Sequence, residues 1–103
     1  MKLDMDIVRS LMLQIEKETT LDKSLTFEKS QTNPDSFYAL LKLEEAGYIN
    51  SIEINTWIGI IQIEVQSLTY EGHKFLDTIR DPKIYRQAKE KVKSLSSVSL
   101  DIF

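Results

Sequence analysis

His73 is the one histidine of this 103-residue chain, and Glu71 and Asp77 stand close to it in sequence. Acid–base or metal chemistry would have to start there. A structural or catalytic zinc site needs three or four converging ligands, and the chain has no cysteine to add. One histidine and two acids on the opening turns of a single helix do not make such a set. Ordinary packing or exposure explains His73 better. No serine, histidine and acid follow a spacing that would build a nucleophile and its base. The three glycines, at 47, 59 and 72, are too scattered for a phosphate loop. The acid pairs Asp4/Asp6 and Glu44/Glu45 read as helix-dipole partners and solvated faces. The chain therefore reads as a non-enzyme, with no cofactor, metal or small-molecule substrate expected.

Two other groups of residues suit binding. Arg86, Lys89 and Lys93 share one face of a final helix with Lys83 at its margin, while Lys23 and Lys29 lie in a loop and Lys42 on the helix after it. Together they are the candidate nucleic-acid contacts. Against that reading, the net charge is −3, and duplex affinity comes largely from neutralised phosphates. The charge is also uneven. Residues 1–79 hold seven Lys/Arg against thirteen Asp/Glu, a net −6, and residues 80–103 hold six against three, a net +3. The second group is apolar: Trp57 and Ile58 at a turn, with Met5 and Leu13 off the main face of the first helix. Interfaces are enriched in Trp, Tyr and Met and depleted in Lys and Glu, so these four are the candidate protein contacts, including contact with a second copy in a homodimer. Trp57 folding back over Tyr48 or the last helix is an equal alternative.

The elements that would hold these residues follow from local signals. Asp4 or Asp6 caps a first helix to about Lys17, with Ile7, Val8, Leu11, Met12 and Ile15 on one face. Leu25-Thr26-Phe27 alternates as a short strand with Leu25 and Phe27 facing inward. Asn33-Pro34-Asp35-Ser36 is a strong helix start, and Gly47 is placed as the left-handed cap after Ala46. Ser51–Asn55 and Ile60–Ser67 form a hairpin whose isoleucines alternate, with Thr56-Trp57-Ile58-Gly59 at its tip. Thr69 then caps a further helix. Gly72, a poor helix former, implies that a neighbouring segment passes too close for a side chain. Asp81-Pro82 repeats the cap-then-proline device, starting a last helix to about Leu95 with Ile84, Tyr85, Ala88, Val92 and Leu95 on one face.

This order predicts an α+β fold of winged helix-turn-helix type, with about four helices and a small three-stranded antiparallel sheet. A second helix before the recognition helix is expected to shrink to a turn. Residues 1–95 form one domain, and 96–103 a loosely held tail. There is no apolar run of about 18 residues for a membrane span and no apolar stretch after Met1-Lys2, so a cytoplasmic protein with no membrane partner is expected. The outward face of the recognition helix, with Asp35, Tyr38, Lys42 and Glu45, sums to −1.

On three blocks the chain resembles an uncharacterised family of small bacterial and phage winged-helix proteins of unknown function, near the YjcQ-like proteins. The blocks are Met5-Asp6-Ile7-Val8-Arg9, Leu43-Glu44-Glu45-Ala46-Gly47-Tyr48-Ile49, and Leu68 through Arg80 with its Leu-Thr-Tyr-Glu-Gly-His-Lys-Phe-Leu-Asp core. The third is the most specific. The chain departs from the family pattern at Tyr38 and Ala39, where a histidine often precedes the leucines. The resemblance implies the fold and a phage or prophage setting, but no activity and no site residues. Protein binding or self-association is the first expectation, and a DNA-binding regulator using the basic last helix and the wing is the alternative.

Overall fold

The computed structural model describes residues 1–87. Helix α1 (Met5–Glu18) is followed by strand β1 (Leu25–Glu28), a short 3-10 turn (Lys29–Gln31), helix α2 (Pro34–Glu45), strands β2 (Ile49–Thr56) and β3 (Gly59–Leu68), and helix α3 (Tyr70–Ile79). Residues 82–87 are helical, the last helix among the described residues. The expected α+β architecture is thus observed, including the turn where a second helix had no room. The tail at 96–103 and the positions Ala88, Val92 and Leu95 lie outside the described residues.

Each helix starts where a side chain takes up a free backbone N–H. Asp4 Oδ1 accepts from the Asp6 amide at 2.8 Å. Asn33 Oδ1 accepts from Asp35 at 2.9 Å, with Pro34 in the first turn. Thr69 Oγ1 accepts from Gly72 at 3.0 Å. Asp81 Oδ1 accepts from Lys83 at 2.8 Å. Helix α2 ends in two reversed bonds, Tyr48 N to Leu43 O and Gly47 N to Glu44 O, with Gly47 at φ +79°. This double closure satisfies the last carbonyls and needs a residue without Cβ strain at Gly47.

The sheet is antiparallel with β3 in the centre, in the order β1-β3-β2. Its inner face packs Ile63 and Val65, both fully buried, against α1 (Val8, Leu11, Met12, Ile15) and α2 (Phe37, Ala39, Leu40, Leu43). Burying a side chain of this size contributes about 1.5–3 kcal/mol, so this three-layer contact holds the domain together. Leu76 and Ile79 of α3 complete it.

The β2–β3 register slips twice, between Asn50 and Ser51 and between Ile54 and Asn55. Both extra residues, Gln66 and Ile61, belong to β3, so β2 itself carries no bulge. Ser51 then pairs with Val65 and Glu53 with Ile63, which turns Ser51 and Glu53 toward the inner face. Ile52 and Ile54 pair with Glu64 and Gln62 and face out, 46% and 40% exposed. The isoleucine alternation is therefore real, but the two strands present it to opposite faces of the sheet. Ile84 is a correction of another kind. It is 56% exposed, while its neighbour Tyr85 is the residue packed on the core.

The join at Thr69 is tightly packed. Thr69 N donates to Tyr48 O at 3.0 Å and Thr69 Oγ1 to Gly47 O at 2.6 Å. A Cβ on Gly72 would meet Tyr48 O at 2.0 Å. The close approach implied by a glycine in a helical first turn is thus the Tyr48 backbone. Arg9 fastens the far end of α3. Its guanidinium donates to the carbonyls of Ile79 and Arg80 at 2.8 and 2.7 Å, a cation at a helix C-terminus. It also lies 5.5 Å from the centre of the Tyr85 ring. Among the described residues no helix is long and apolar enough to cross a membrane.

Candidate protein-interaction site

The hairpin tip is built by Thr56 and Gly59. Thr56 Oγ1 accepts from Ile58 N at 3.3 Å and donates to Gly59 O at 3.1 Å. Gly59 takes φ +110°, so the turn closes without strain at the two residues between. Those two are Trp57 and Ile58, 96% and 65% exposed. Trp57 does not fold back on Tyr48, whose ring is already stacked on Phe75 with centroids 4.8 Å apart. Ile52 and Ile54 continue the apolar surface from the tip along the outer face of β2, an edge strand with one neighbour among the described residues. Sequence reasoning placed Trp57 and Ile58 in this surface but not Ile52 and Ile54.

Of the other two candidate contacts, Leu13 is half-buried and packs against the core, because the face α1 turns to the protein is wider than its apolar stripe. Met5 is 36% exposed and borders a shallow apolar cleft with Leu3, Val8, Leu43, Tyr48 and Phe75. That cleft lies at the hairpin's base and not at its tip.

Beneath β2 lies a pair of acids that no spacing rule would bring together. Glu44, in the last turn of α2, accepts a hydrogen bond from the Ser51 hydroxyl. Its carboxyl also lies within hydrogen-bonding reach of Glu53, whose proton affinity is raised by that contact and by partial burial, against a smaller opposing bond from Asn55. Among the described residues no lysine or arginine pairs with either acid.

The described cations are dispersed. Lys42 is held by Glu45 at 2.9 Å and lies 5.4 Å from the Tyr38 ring centre, so the one cation on the outward face of α2 is already paired. The Glu45 bond raises the affinity of Lys42 for its proton. Lys23 projects from the turn after α1 and Lys29 from the 3-10 turn, both exposed. Lys83 and Arg86 are exposed on the final helix, which Tyr85 ties to α1 by donating to Asp6 Oδ1 at 2.8 Å. Burial and that bond push the Tyr85 hydroxyl up to about 12. Lys89 and Lys93 lie outside the described residues. Arg80 is occupied by Glu16, at 2.8 and 2.6 Å, and by Asp77.

His73 is exposed on α3, at the side of an open groove that also touches Glu16, Asp22, Lys23 and Glu64. Among the described residues no three His, Cys, Asp or Glu are grouped to hold a metal ion.

These features define a small α+β helix-and-hairpin domain that offers an apolar edge and a pair of uncompensated acids. The chain belongs to the family described as hypothetical protein (DUF2513), whose model matches residues 2–99. It is similar to a protein of Haemophilus influenzae described as uncharacterized, 30% identical over 111 residues that span 98% of this chain and 87% of that protein. No solved structure matches it.

Proposed function

We propose that this is a non-catalytic winged-helix protein that works by docking on another protein through the tip and free edge of its hairpin. The winged-helix reading is supported by the order of elements: α1, β1, a turn in place of a second helix, α2 in the recognition position, then the β2–β3 hairpin as the wing. The phage or prophage setting rests on the resemblance, carried most specifically by the Leu68–Arg80 block, and the cytoplasmic location on a sequence with no cysteine and no long apolar run.

One observation carries the docking reading: the sole tryptophan is 96% exposed at the tip of an ordered turn. Its indole is no part of the core among the described residues, so its position does not serve their packing, and burying it against a partner would remove a large apolar area from water. The alternative, a DNA-binding regulator, draws on Lys83, Arg86 and the wing. It is weakened by an α2 face that pairs Lys42 with Glu45 and by a wing tip without a cation.

Two measurements decide between them. A labelled duplex titrated at about 50 mM salt, where phosphate contacts are strong, is expected to show no binding. Affinity capture with the wild-type chain is expected to retain a partner, another protein or a second copy, that Trp57→Ser loses. Duplex binding that falls steeply with salt, is lost in Arg86→Ala and ignores Trp57→Ser would overturn the proposal.

A further inference from the structure

Sheet edges expose a row of unpaired N–H and C=O groups, and proteins commonly guard them with lysine, proline or a bulge. Among the described residues the β2 edge has none of these three, and its one charged side chain is Glu53, on the inner face. Its sequence, Ile49-Asn50-Ser51-Ile52-Glu53-Ile54-Asn55-Thr56, holds no Lys and no Pro, and both irregularities of the hairpin lie on β3. The strand alternates in a definite way. Ile52 and Ile54 stand on the outer face, and Glu53 lies between them on the inner face.

The inner side of that edge is negative for three reasons that add. Glu53 and Glu44 meet there, no cation among the described residues pairs with either, and the C-terminal end of α2 brings the negative pole of its dipole to the same spot. The Ser51 hydroxyl is committed to Glu44. In a paired strand, directly opposed residues point to the same face and interact most strongly. An added strand would therefore set one side chain against Glu53 and its two neighbours against Ile52 and Ile54.

A second copy of this chain fits poorly. In the antiparallel register centred on Glu53, which matches Ile52 to Ile54, Glu53 would oppose itself, with a Glu44 on each side. We infer that the β2 edge accepts an extended segment of another protein in which a lysine or arginine stands between two apolar residues, the cation against Glu53 and Glu44 and the apolar pair against Ile52 and Ile54. This is strand addition, in which main-chain bonds give affinity and alternate side chains give specificity. It rests on the protein-docking reading above and names the partner's chemistry.

The experiment is selection of a displayed random-peptide library on the full chain, followed by titration of the enriched peptide. The expected consensus is aliphatic–Lys/Arg–aliphatic, and the amides it shifts in an NMR spectrum are those of Ser51 through Asn55. Glu53→Lys is expected to weaken that peptide by roughly tenfold or more, as for loss of a close charge pair. Exchanging the peptide's cation for Glu is expected to restore binding to Glu53→Lys, which also shows that the variant is folded. The inference is overturned by no enrichment, by a consensus without a cation, by amide shifts elsewhere, or by a sedimenting dimer that occupies the edge. Trp57-dependent capture persisting beside any of these would sink the strand-addition inference and leave the docking reading standing. Loss of both would sink both.

Discussion

The two ends of one hairpin are built on opposite terms. At its base, Thr69 donates its backbone N–H to Tyr48 and its hydroxyl to Gly47, and the Tyr48 carbonyl presses so near Gly72 that a methyl group has no room. At its tip, a threonine and a glycine fix the turn, and the two side chains between them hang in water. The base shows what folding demands of a sequence: particular residue types, each answering a distance. The tip shows residues that the fold holds in place without using. Apolar side chains of that second kind are where a search for recognition should begin.

The contrast can be broken at the base first. Gly72→Ala forces a Cβ onto a backbone oxygen and is expected to cost about 3 kcal/mol or more, read as a fall in the denaturant midpoint. Ile15→Ala, on the fully buried face of α1, is expected to cost about 2–5 kcal/mol by the same measurement. Thr69→Ala removes the cap of α3 and its bond to Gly47 and is expected to cost about 1–2 kcal/mol. At the tip, Trp57→Ser should stay within about 0.5 kcal/mol of wild type while abolishing partner capture. If Trp57→Ser is as costly as Thr69→Ala, the two ends do not differ as described.

The smallest effect has a sign set by pH. Glu53 holds its proton more tightly in the folded chain because Glu44 faces it. Stability from that source is present below the ordinary carboxylate range and is lost as pH rises through the raised value. At pH 7 the pair is a cost, so Glu53→Gln is expected to stabilise by a few tenths of a kcal/mol there. The gain should shrink toward pH 4 in paired thermal melts.

Local signals carried most of the architecture. Asn33-Pro34, Asp81-Pro82 and Thr69 cap helices because a side chain can reach an amide two or three residues on, a matter of neighbours alone. The hairpin was legible within a few residues, Ser51–Asn55 and Ile60–Ser67 against the observed Ile49–Thr56 and Gly59–Leu68. The outward turn of Ile52 and Ile54 was not. Alternation gives a period but not a side, and the extra residues Gln66 and Ile61 look like any others in a strand. The meeting of Glu44 with Glu53 depends on how α2 lies over β2, which no local rule contains. Trp57 and Ile58 were visible as a tip, but a turn sequence does not say whether the tip stands clear of the body, and their exposure was read only from the fold.

Arg9 and Tyr85 have a kinetic consequence. Arg9 grips carbonyls 70 and 71 residues away, and Tyr85 reaches Asp6 across 79. Loops that long close slowly and late. During synthesis the hairpin can therefore zip up on its own while Asp6 and Arg9 wait for their counterparts, and these fastenings close only after separations of 70 to 79 residues have left the ribosome.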